Sequence, residues 1–263
     1  MIEKFTPKEL NMLSVITITF NNYPELKETL DSISAQDIQS IVVNGGNCKE
    51  TLSFLTMFKG VCLSEKDQGI ADAFNKGFAL SSGNYVTYLN SGDRLIGKDY
   101  YRFAQKFLEE NSGFDFVYAD LCFVDQYAGE LRIKSNNPTP SMPFLHPTLI
   151  VRRSIIEKLG LFDSQFKIAM DLDFAYRVIN SGAKGYYLPE MVVRMDGRGV
   201  SSTKFSATYF ETLKVVMKNK DYSFRSLLFF VKNGILLVFK LLLFTFQGER
   251  FLGWYRKRKY RIT

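Results

Sequence analysis

A chain of 263 residues can bury a large core, and its 46% hydrophobic and 23% charged residues exclude both a disordered protein and one made mostly of membrane spans. The three cysteines, Cys48, Cys62 and Cys122, include no C-x-x-C pair, so they favour reduced thiols in a cytosolic protein over a zinc site or a disulfide framework. The polar first twelve residues predict no signal peptide. The net charge of +7 is concentrated at the C-terminus, where residues 249–263 carry +5.

The first part of the chain alternates short apolar runs with stretches of helical periodicity. Strands are predicted at 13–19, 41–43, 61–63 and 85–89, and helices are predicted from Pro24, from about Leu52 and from about Ile70. Strands and helices that alternate at this spacing predict βαβ units. The fold class is therefore predicted to be α/β, with a mostly parallel sheet flanked by helices.

Polar residues follow three of these predicted strands, at Thr19–Asn22, Asn44–Asn47 and Asn90–Asp93. In parallel sheets, ligands bind beyond the carboxyl ends of the strands. The three segments therefore predict one shared binding site at this edge of the sheet.

After Gly113 the pattern changes. Short strands are predicted at 116–118, 121–124 and 131–134, with a turn at 127–129, and a helix is predicted over 171–180. We assign both parts to one domain over residues 13–220, with an N-terminal extension at 1–12 and a C-terminal segment at 221–263.

Five segments, in this order, resemble family 2 glycosyltransferases. They are VITITFNN (15–22), IVVNGGN (41–47), SEKDQGIADAFNKG (64–77), YLNSGD (88–93) and FDSQFKIAMDLDFAYR (162–177). The resemblance runs from about residue 13 to 202 and looks closest to the subgroup that builds O-antigen and other cell-surface polysaccharides. It implies the GT-A fold, with a Rossmann-like sheet, and the inverting transfer of a sugar from a nucleotide-diphosphate donor.

Such a transferase must stabilise a leaving diphosphate, and a divalent cation held by oxygen ligands is suited to this task. In the family, the position of Asp93 closes a D-x-D-like motif and supplies the metal-bound carboxylate. Here the motif reads Asn90-Ser91-Gly92-Asp93, so Asp93 is the predicted ligand of Mg²⁺ or Mn²⁺. The alternative is that Asp93 only orders a turn or caps the following helix.

The resemblance also implies a catalytic base at Asp171, in a sequence that matches the family's acidic pair before a helix ending in Arg177. Direct displacement needs one carboxylate within hydrogen-bond reach of the acceptor hydroxyl. Asp171 and Asp173 are two positions apart and diverge by about 200° on a helix, so only one of them can face the site. The alternative is that both merely favour the positive end of the helix dipole.

The donor pocket is carried over from the resemblance. The residues implied to bind the nucleotide-sugar are Thr19, Asn21, Asn44, Asp67, Asn75, Lys76, Ser91 and Asp93. Asn44 stands where the family usually has an aspartate that reads the base, so base preference is expected to shift. A UDP-sugar remains the expected donor. Lys76 either reaches a phosphate or is a solvated surface lysine.

On the acceptor side, the resemblance implies a role for His146, the single histidine, with a structural histidine as the alternative. Arg152 and Arg198 are candidates to meet an anionic lipid diphosphate, and Asp173 is a further candidate. For the arginines, a solvated surface charge is the alternative.

Ser226 to Gln247 form an apolar stretch that contains Lys232, Asn233 and Lys240. On a helix, these polar residues fall within one stripe of roughly 100°. Because a lysine at the bilayer centre costs about 3 kcal/mol, an amphipathic helix lying in the membrane plane is favoured over a span. The basic tail beyond Gly248 would attract anionic headgroups, and no aromatic platform accompanies it to suggest nucleic acid. The alternative is packing on the domain or in a homodimer.

These observations predict a peripheral, non-processive glycosyltransferase at the cytoplasmic face of the inner membrane. It would transfer one sugar to a polyprenyl-diphosphate-linked saccharide in O-antigen, capsule or exopolysaccharide biosynthesis. The Gln-x-x-Arg-Trp signature of processive synthases is absent, since the single tryptophan, Trp254, lies in the basic tail. The alternatives are a polyprenyl-phosphate sugar synthase and a non-catalytic sugar-binding or scaffold subunit with a decayed site.

Overall fold

The computed structural model describes residues 12–126, 128–136, 140, 142–197, 204–242 and 258. Strands β1 to β9 span Leu13–Thr19, Gln39–Asn44, Val61–Ser64, Tyr85–Asn90, Arg94–Leu95, Phe116–Asp125, Gly129–Ile133, Ile150–Arg152 and Gly185–Asp196. Helices α1 to α8 span Tyr23–Ile33, Lys49–Leu55, Ile70–Leu80, Tyr100–Glu110, Arg153–Leu159, Met170–Asn180, Phe205–Lys218 and Phe224–Leu242. A 3₁₀ turn covers His146–Thr148.

The strands form one mixed sheet in the order β3-β2-β1-β4-β8-β6-β9-β5, with β7 paired to β6. Strands β3, β2, β1 and β4 are mutually parallel, whereas β8 is antiparallel to both β4 and β6. The chain runs outward from β1 to β2 and β3 and then returns to place β4 on the other side of β1. In such sheets a crevice opens at the carboxyl ends of the two strands where the order reverses.

Helices cover both faces of the sheet, which explains why β1 is buried along its whole length. On one face, a cluster including Phe74 of α3, Phe174 of α6 and Val215 of α7 packs against the strands. On the other face, the cluster includes Leu26 of α1 and Leu108 of α4. The parallel half of the sheet and its helices agree with the prediction; the second half is mixed.

Strand β6 joins two strands that the sequence pattern separates. The register between β6 and β9 shifts on either side of Asp120, which is fully buried and interrupts the apolar pattern. Its carboxylate accepts hydrogen bonds from Arg132 Nε (2.7 Å), Ser135 N (2.9 Å) and Tyr187 OH (2.6 Å). A buried, fully paired carboxylate therefore stands where the sequence predicts a break between strands.

The last two helices pack onto the domain through α7. Tyr209 of α7 makes an edge-to-face contact with Phe230 of α8, with 5.7 Å between ring centroids. Asp221, in the turn between these helices, accepts hydrogen bonds from Ser226 Oγ of α8 (2.6 Å) and Tyr176 OH of α6 (2.7 Å). Asp221 therefore ties the start of α8 to α6.

Helix α8 presents two apolar faces where the sequence predicts one broad face. One face is exposed and consists of Phe224, Leu227, Leu228, Val231, Ile235 and Val238. The other borders a groove of about 190 Å³ against α7, and Asn233, predicted to belong to the polar stripe, lines that groove. Lys232 is exposed, while the side chain of Lys240, Gln247 and most of the basic tail lie outside the described part of the chain. Over the described residues, no helix combines the length and apolar character that crossing a membrane requires.

Candidate functional site

A cleft of about 830 Å³ opens next to the carboxyl end of β4, beside the switch point between β1 and β4. It is bordered by the turn after β4, the 3₁₀ turn, the first turn of α6, and helices α7 and α8. The charged side chains among its described lining residues are the carboxylates Glu25, Asp93, Asp171 and Asp196. Two of these carboxylates, Asp93 and Asp171, are residues that the sequence analysis singles out.

Asp93 is held in a tight turn at the end of β4. Its backbone N donates to Asn90 O (3.0 Å), and Asn90 N donates to the Asp93 carboxylate (2.9 Å). Gly92 has a φ of 102°, which favours glycine, and its N donates to Thr29 Oγ1 of α1 (2.9 Å). The turn is thus fixed at both ends, and the carboxylate has a defined place in the cleft.

The Asp93 side chain is a buried charge, since the residue is only 3% exposed. Burial raises the pKa of its carboxyl from 3.8 to about 6, although His146 and the hydrogen bonds from Asn90 lower it. No three His, Cys, Asp or Glu side chains cluster as a metal site within the described residues. A buried carboxylate whose charge is incompletely offset nonetheless fits a cation that completes its shell with waters and phosphate oxygens.

His146 links the turn after β4 to the first turn of α6. Its Nε2 lies 3.1 Å from Asn90 Nδ2, and its Nδ1 lies 3.4 Å from Asp171 Oδ2. Because an amide nitrogen can only donate, Nε2 is the acceptor in the neutral ring, and the ring proton is on Nδ1, facing Asp171. The histidine therefore lies between Asn90 and Asp171, within hydrogen-bond distance of the amide and within ion-pair distance of the carboxylate.

The two acidic residues of α6 have separate surroundings. Asp171 lines the cleft, and its Oδ1 accepts a hydrogen bond from Leu172 N (2.8 Å). Asp173 is fully buried against α7, where it pairs with Arg177 Nε (3.0 Å) and Lys218 Nζ (2.8 Å). The structure thereby corrects the predicted acceptor role of Asp173: its carboxylate is a core ion pair pointing away from the cleft.

Glu211 of α7, which the sequence analysis did not single out, holds the segment that precedes α6. Its carboxylate accepts hydrogen bonds from three consecutive backbone amides, those of Lys167, Ile168 and Ala169, at 2.8–3.1 Å. These amides come directly before the helix that carries Asp171, so Glu211 fixes the position of that helix end. No local sequence signal reveals this contact, because Glu211 lies more than forty residues further along the chain.

The predicted donor residues at the ends of β1 and β2 come together in a hydrogen-bonded set of loops. Asn21 Oδ1 accepts from the backbone N of Asn47 and of Cys48 (2.7 and 2.8 Å). Asn44 is fully buried, donating to Gly46 O and Ser64 Oγ and accepting from Gly46 N. Both amides therefore shape these loops through their own hydrogen bonds.

Two further donor candidates lie at the same edge. The buried Thr19 Oγ1 finds no hydrogen-bond partner among the described residues. The Asp67 carboxylate lies directly over Gly45, where an added Cβ would come within 1.6 Å of Asp67 Oδ2, so only glycine allows this approach. Phe20, between Thr19 and Asn21, is 67% exposed. The sequence analysis did not single out Phe20, although a large apolar residue within a polar loop is a signal that could have identified it.

The remaining donor candidates on α3 and after β4 have different partners. Asn75 exchanges two hydrogen bonds with the backbone of Phe162 (2.9 and 3.0 Å), so its polar atoms tie α3 to the segment before α6. Lys76 pairs with Glu65 (2.8 Å) and Asp72 (3.2 Å), the arrangement expected of a surface lysine. Ser91 lines the cleft, and its Oγ donates to Asn22 O (3.3 Å).

The structure corrects the predicted acceptor role of Arg152. Arg152 pairs in the sheet with Tyr85, the first residue of β4, and so lies at the opposite end of that strand from Asn90. Its guanidinium donates to the carbonyl oxygens of Phe114 (2.9 Å) and Leu108 and lies over the Tyr85 ring. It is a structural arginine. Arg198 lies outside the described residues.

A switch-point cleft with one carboxylate after β4 and a second at the start of α6 is the arrangement of a GT-A glycosyltransferase. The model of the glycosyl transferase family 2 matches residues 14–166, and the chain belongs to this family. The protein is thus a transferase with the predicted fold. The O-antigen subgroup is not confirmed.

Two bacterial relatives illustrate the family membership. The PGL/p-HBAD biosynthesis glycosyltransferase of Mycobacterium bovis is 27% identical over 189 residues, covering 65% of this chain and 71% of that protein. An uncharacterised glycosyltransferase of Mycobacterium tuberculosis is 30% identical over 179 residues, covering 63% and 68%.

Solved structures share the fold. The mannosyltransferase PcManGT of Pyrobaculum calidifontis, in complex with GDP-Man and Mn²⁺, has a TM-score of 0.64 at 15% identity over 91% of this chain and 78% of that chain. Residues 1–349 of TarS from S. aureus have a TM-score of 0.61 at 18% identity over 79% of this chain. The match spans 65% of that TarS chain, just under two thirds of its length.

Proposed function

We propose that the protein is an inverting, non-processive glycosyltransferase that moves a sugar from a nucleotide-diphosphate sugar to a hydroxyl of a lipid-linked saccharide. One observation carries the proposal: Asp93 and Asp171 line a single cleft at the switch point and are connected through Asn90 and His146. This geometry provides a carboxylate for the leaving-group side and another for the nucleophile.

Asp171 acts as the base. It accepts the proton of the acceptor hydroxyl while that oxygen bonds to the anomeric carbon and the bond to the diphosphate breaks, which inverts the configuration. The His146 ring lies 3.4 Å from the Asp171 carboxylate, so it restricts the positions that the carboxylate can take. Asp93 would hold the divalent cation, which supplies charge stabilisation to the leaving diphosphate.

The donor lies along the carboxyl ends of β1 and β2, beside the cleft. The unpaired Thr19 hydroxyl and the Asp67 carboxylate support nucleoside recognition there, and the exposed Phe20 ring offers a surface on which a base stacks. Among the structural neighbours, TarS was solved with UDP and with UDP-GlcNAc, and PcManGT with GDP-Man. A UDP-sugar is the donor that we propose.

The acceptor group is a sugar hydroxyl. Asp171 lines the cleft and is placed to accept the proton that a hydroxyl loses on transfer. A phosphate acceptor is already deprotonated at neutral pH and needs no such base, so we favour transfer to a saccharide over the alternative of transfer to a polyprenyl phosphate.

The exposed face of α8 supports action at a membrane surface. Its six apolar side chains lie within one stripe of about 100°, and Arg225 and Lys232 are exposed beside that stripe. An apolar stripe beside cations fits a helix lying in the plane of an anionic bilayer. Cosedimentation with phosphatidylglycerol vesicles should be lost in Leu228→Asp and kept in Leu161→Asp, a control at an exposed leucine elsewhere. Concentration-dependent dimers without vesicle binding would instead assign the stripe to a second copy of the chain.

Calorimetric titration tests the transferase proposal. UDP, GDP, dTDP and CMP are titrated into the purified protein with and without Mn²⁺. Tight, Mn²⁺-dependent binding of one diphosphate supports the donor site and identifies its base. If a folded sample binds none of the four, the non-catalytic alternative replaces the proposal.

A further inference from the structure

Part of the lining of the cleft that contains Asp171 is apolar, and none of the roles assigned so far uses this apolar wall. Its side chains are Leu121 and Phe123 of β6, Met142 and Leu145 before the 3₁₀ turn, Met195 of β9, and Phe229 of α8. Leu121 is buried, whereas the other five side chains are half-buried.

A saccharide alone does not account for this wall. Sugars are bound through hydrogen bonds to their hydroxyls and through stacking on aromatic rings, and the leucine and methionine side chains of this wall provide neither. Two of the six side chains are methionines, whose flexible, polarizable thioethers adapt to apolar ligands of varied shape. The wall is therefore complementary to hydrocarbon.

The apolar wall continues beyond the cleft. Thr208 and Thr212 of α7 and Phe229 of α8 line both the cleft and the 190 Å³ groove between the two helices. From Phe229 the groove follows α8 to Leu237, a distance of about 12 Å at 1.5 Å per residue. Besides Thr208, Thr212 and Asn233, the groove is lined by aromatic and leucine side chains, so an elongated group that enters the cleft has a mostly apolar path leading away from it.

We infer that the cleft and the groove between α7 and α8 form a subsite for an alkyl or aryl group attached to the acceptor sugar, with Phe229 at its entrance. This inference rests on the proposed transfer to a saccharide. It adds that the enzyme recognises the acceptor through its hydrophobic aglycone, and that the sugar which receives the new residue lies close to that aglycone.

A series of alkyl glucosides tests the subsite. Methyl, hexyl and octyl β-D-glucopyranoside have the same head group, and each is titrated below its critical micelle concentration. Full burial of one methylene group corresponds to about a fourfold gain in affinity. Even if only part of the octyl group is buried, octyl glucoside should bind at least about thirtyfold more tightly than methyl glucoside.

Variants locate the binding. Phe229→Ala should reduce octyl glucoside affinity at least about tenfold and leave methyl glucoside and nucleotide binding unchanged. Met217→Ala, which removes an exposed apolar side chain of α7 away from the cleft, is the matched control. Thr212→Phe fills the entrance instead of opening it, and it should also block octyl glucoside if Phe229→Ala fails to fold.

The outcomes separate the two proposals. Equal affinity for octyl and methyl glucosides, or equal octyl affinity in Phe229→Ala and Met217→Ala, overturns the subsite even if a nucleotide binds. Chain-length dependence that Phe229→Ala removes, in a protein that binds no nucleotide, supports the subsite and rejects the transferase.

Discussion

Asp221 should give the C-terminal helices a stability that depends on pH. Burial alone would raise its pKa, but hydrogen bonds from Ser226, Tyr176 and Ser223 lower the pKa from 3.8 to about 2. Since the folded value lies below the unfolded one, ionised Asp221 stabilises the fold above about pH 4. That contribution is lost as the pH falls toward 2.

The size of the effect follows from the shift. The pKa of Asp221 is lowered by nearly two units. Because Asp221 is partly exposed, we discount this shift and expect it to contribute about 2 kcal/mol to the free energy of unfolding at neutral pH. Asp221→Asn should therefore lower the free energy of unfolding by about 2 kcal/mol and the Tm by about 4–8 °C at pH 7. The difference between wild type and variant should fall to about half near pH 3.

Urea denaturation of both proteins at several pH values measures this difference. Subtracting the free energy of unfolding of the variant from that of the wild type cancels the contributions of the other carboxylates that titrate in the same pH range. Asp31→Asn, which breaks the exposed ion pair with Lys27, is the control and should cost less than about 0.5 kcal/mol. The reasoning is refuted if Asp221→Asn destabilises equally at pH 3 and pH 7, or no more than the control at pH 7.

Three further predictions concern the site. Asp171→Asn should lower kcat about 10²–10⁴-fold and leave the nucleotide affinity measured by calorimetry unchanged. Asp173→Asn, by contrast, should lower the Tm and keep kcat. Near wild-type turnover in Asp171→Asn would reject the assignment of Asp171 as the base. Glu211→Gln should lower kcat about tenfold and leave the donor KM unchanged. Lys214→Ala, on the exposed face of α7, is the control. An equal kcat in the two variants would contradict the positioning role of Glu211. Asp93→Asn should weaken Mn²⁺-dependent nucleotide binding about tenfold or more and leave binding in EDTA unchanged; equal loss in both conditions would contradict a metal-binding role.

The donor half of the fold could be predicted because its signals are local. Strand β1 matches its predicted bounds at both ends, and the turn at Asn90–Asp93 lies at the carboxyl end of β4, where alternating strands and helices require it. Asp171 and Asp93 are likewise found in one cleft. Here the pattern of a short segment determines both its conformation and the edge of the sheet at which its polar residues lie.

The acceptor half could not be predicted in the same way, because its contacts join distant segments. Arg152 is the last residue of β8, and only the antiparallel pairing of β8 with β4 shows that it lies at the end of the sheet away from the cleft. The hydrogen bonds between Glu211 and the segment before α6 join residues more than forty positions apart. Helical periodicity places Asn233 on one side of α8, yet it cannot say that α7 and the cleft occupy that side.

The division of the cleft between two parts of the chain has an evolutionary consequence. The strand ends that we propose to hold the donor belong to the region that the family model matches, residues 14–166, whereas α6, α7 and α8 follow it. Phe229 and Thr212 are carried by helices that are separate from the sheet. Substitutions at Phe229 or Thr212, unlike those at Glu211 on the same pair of helices, should therefore change the range of acceptors and leave the proposed donor site unchanged, so new products can arise with one sugar donor.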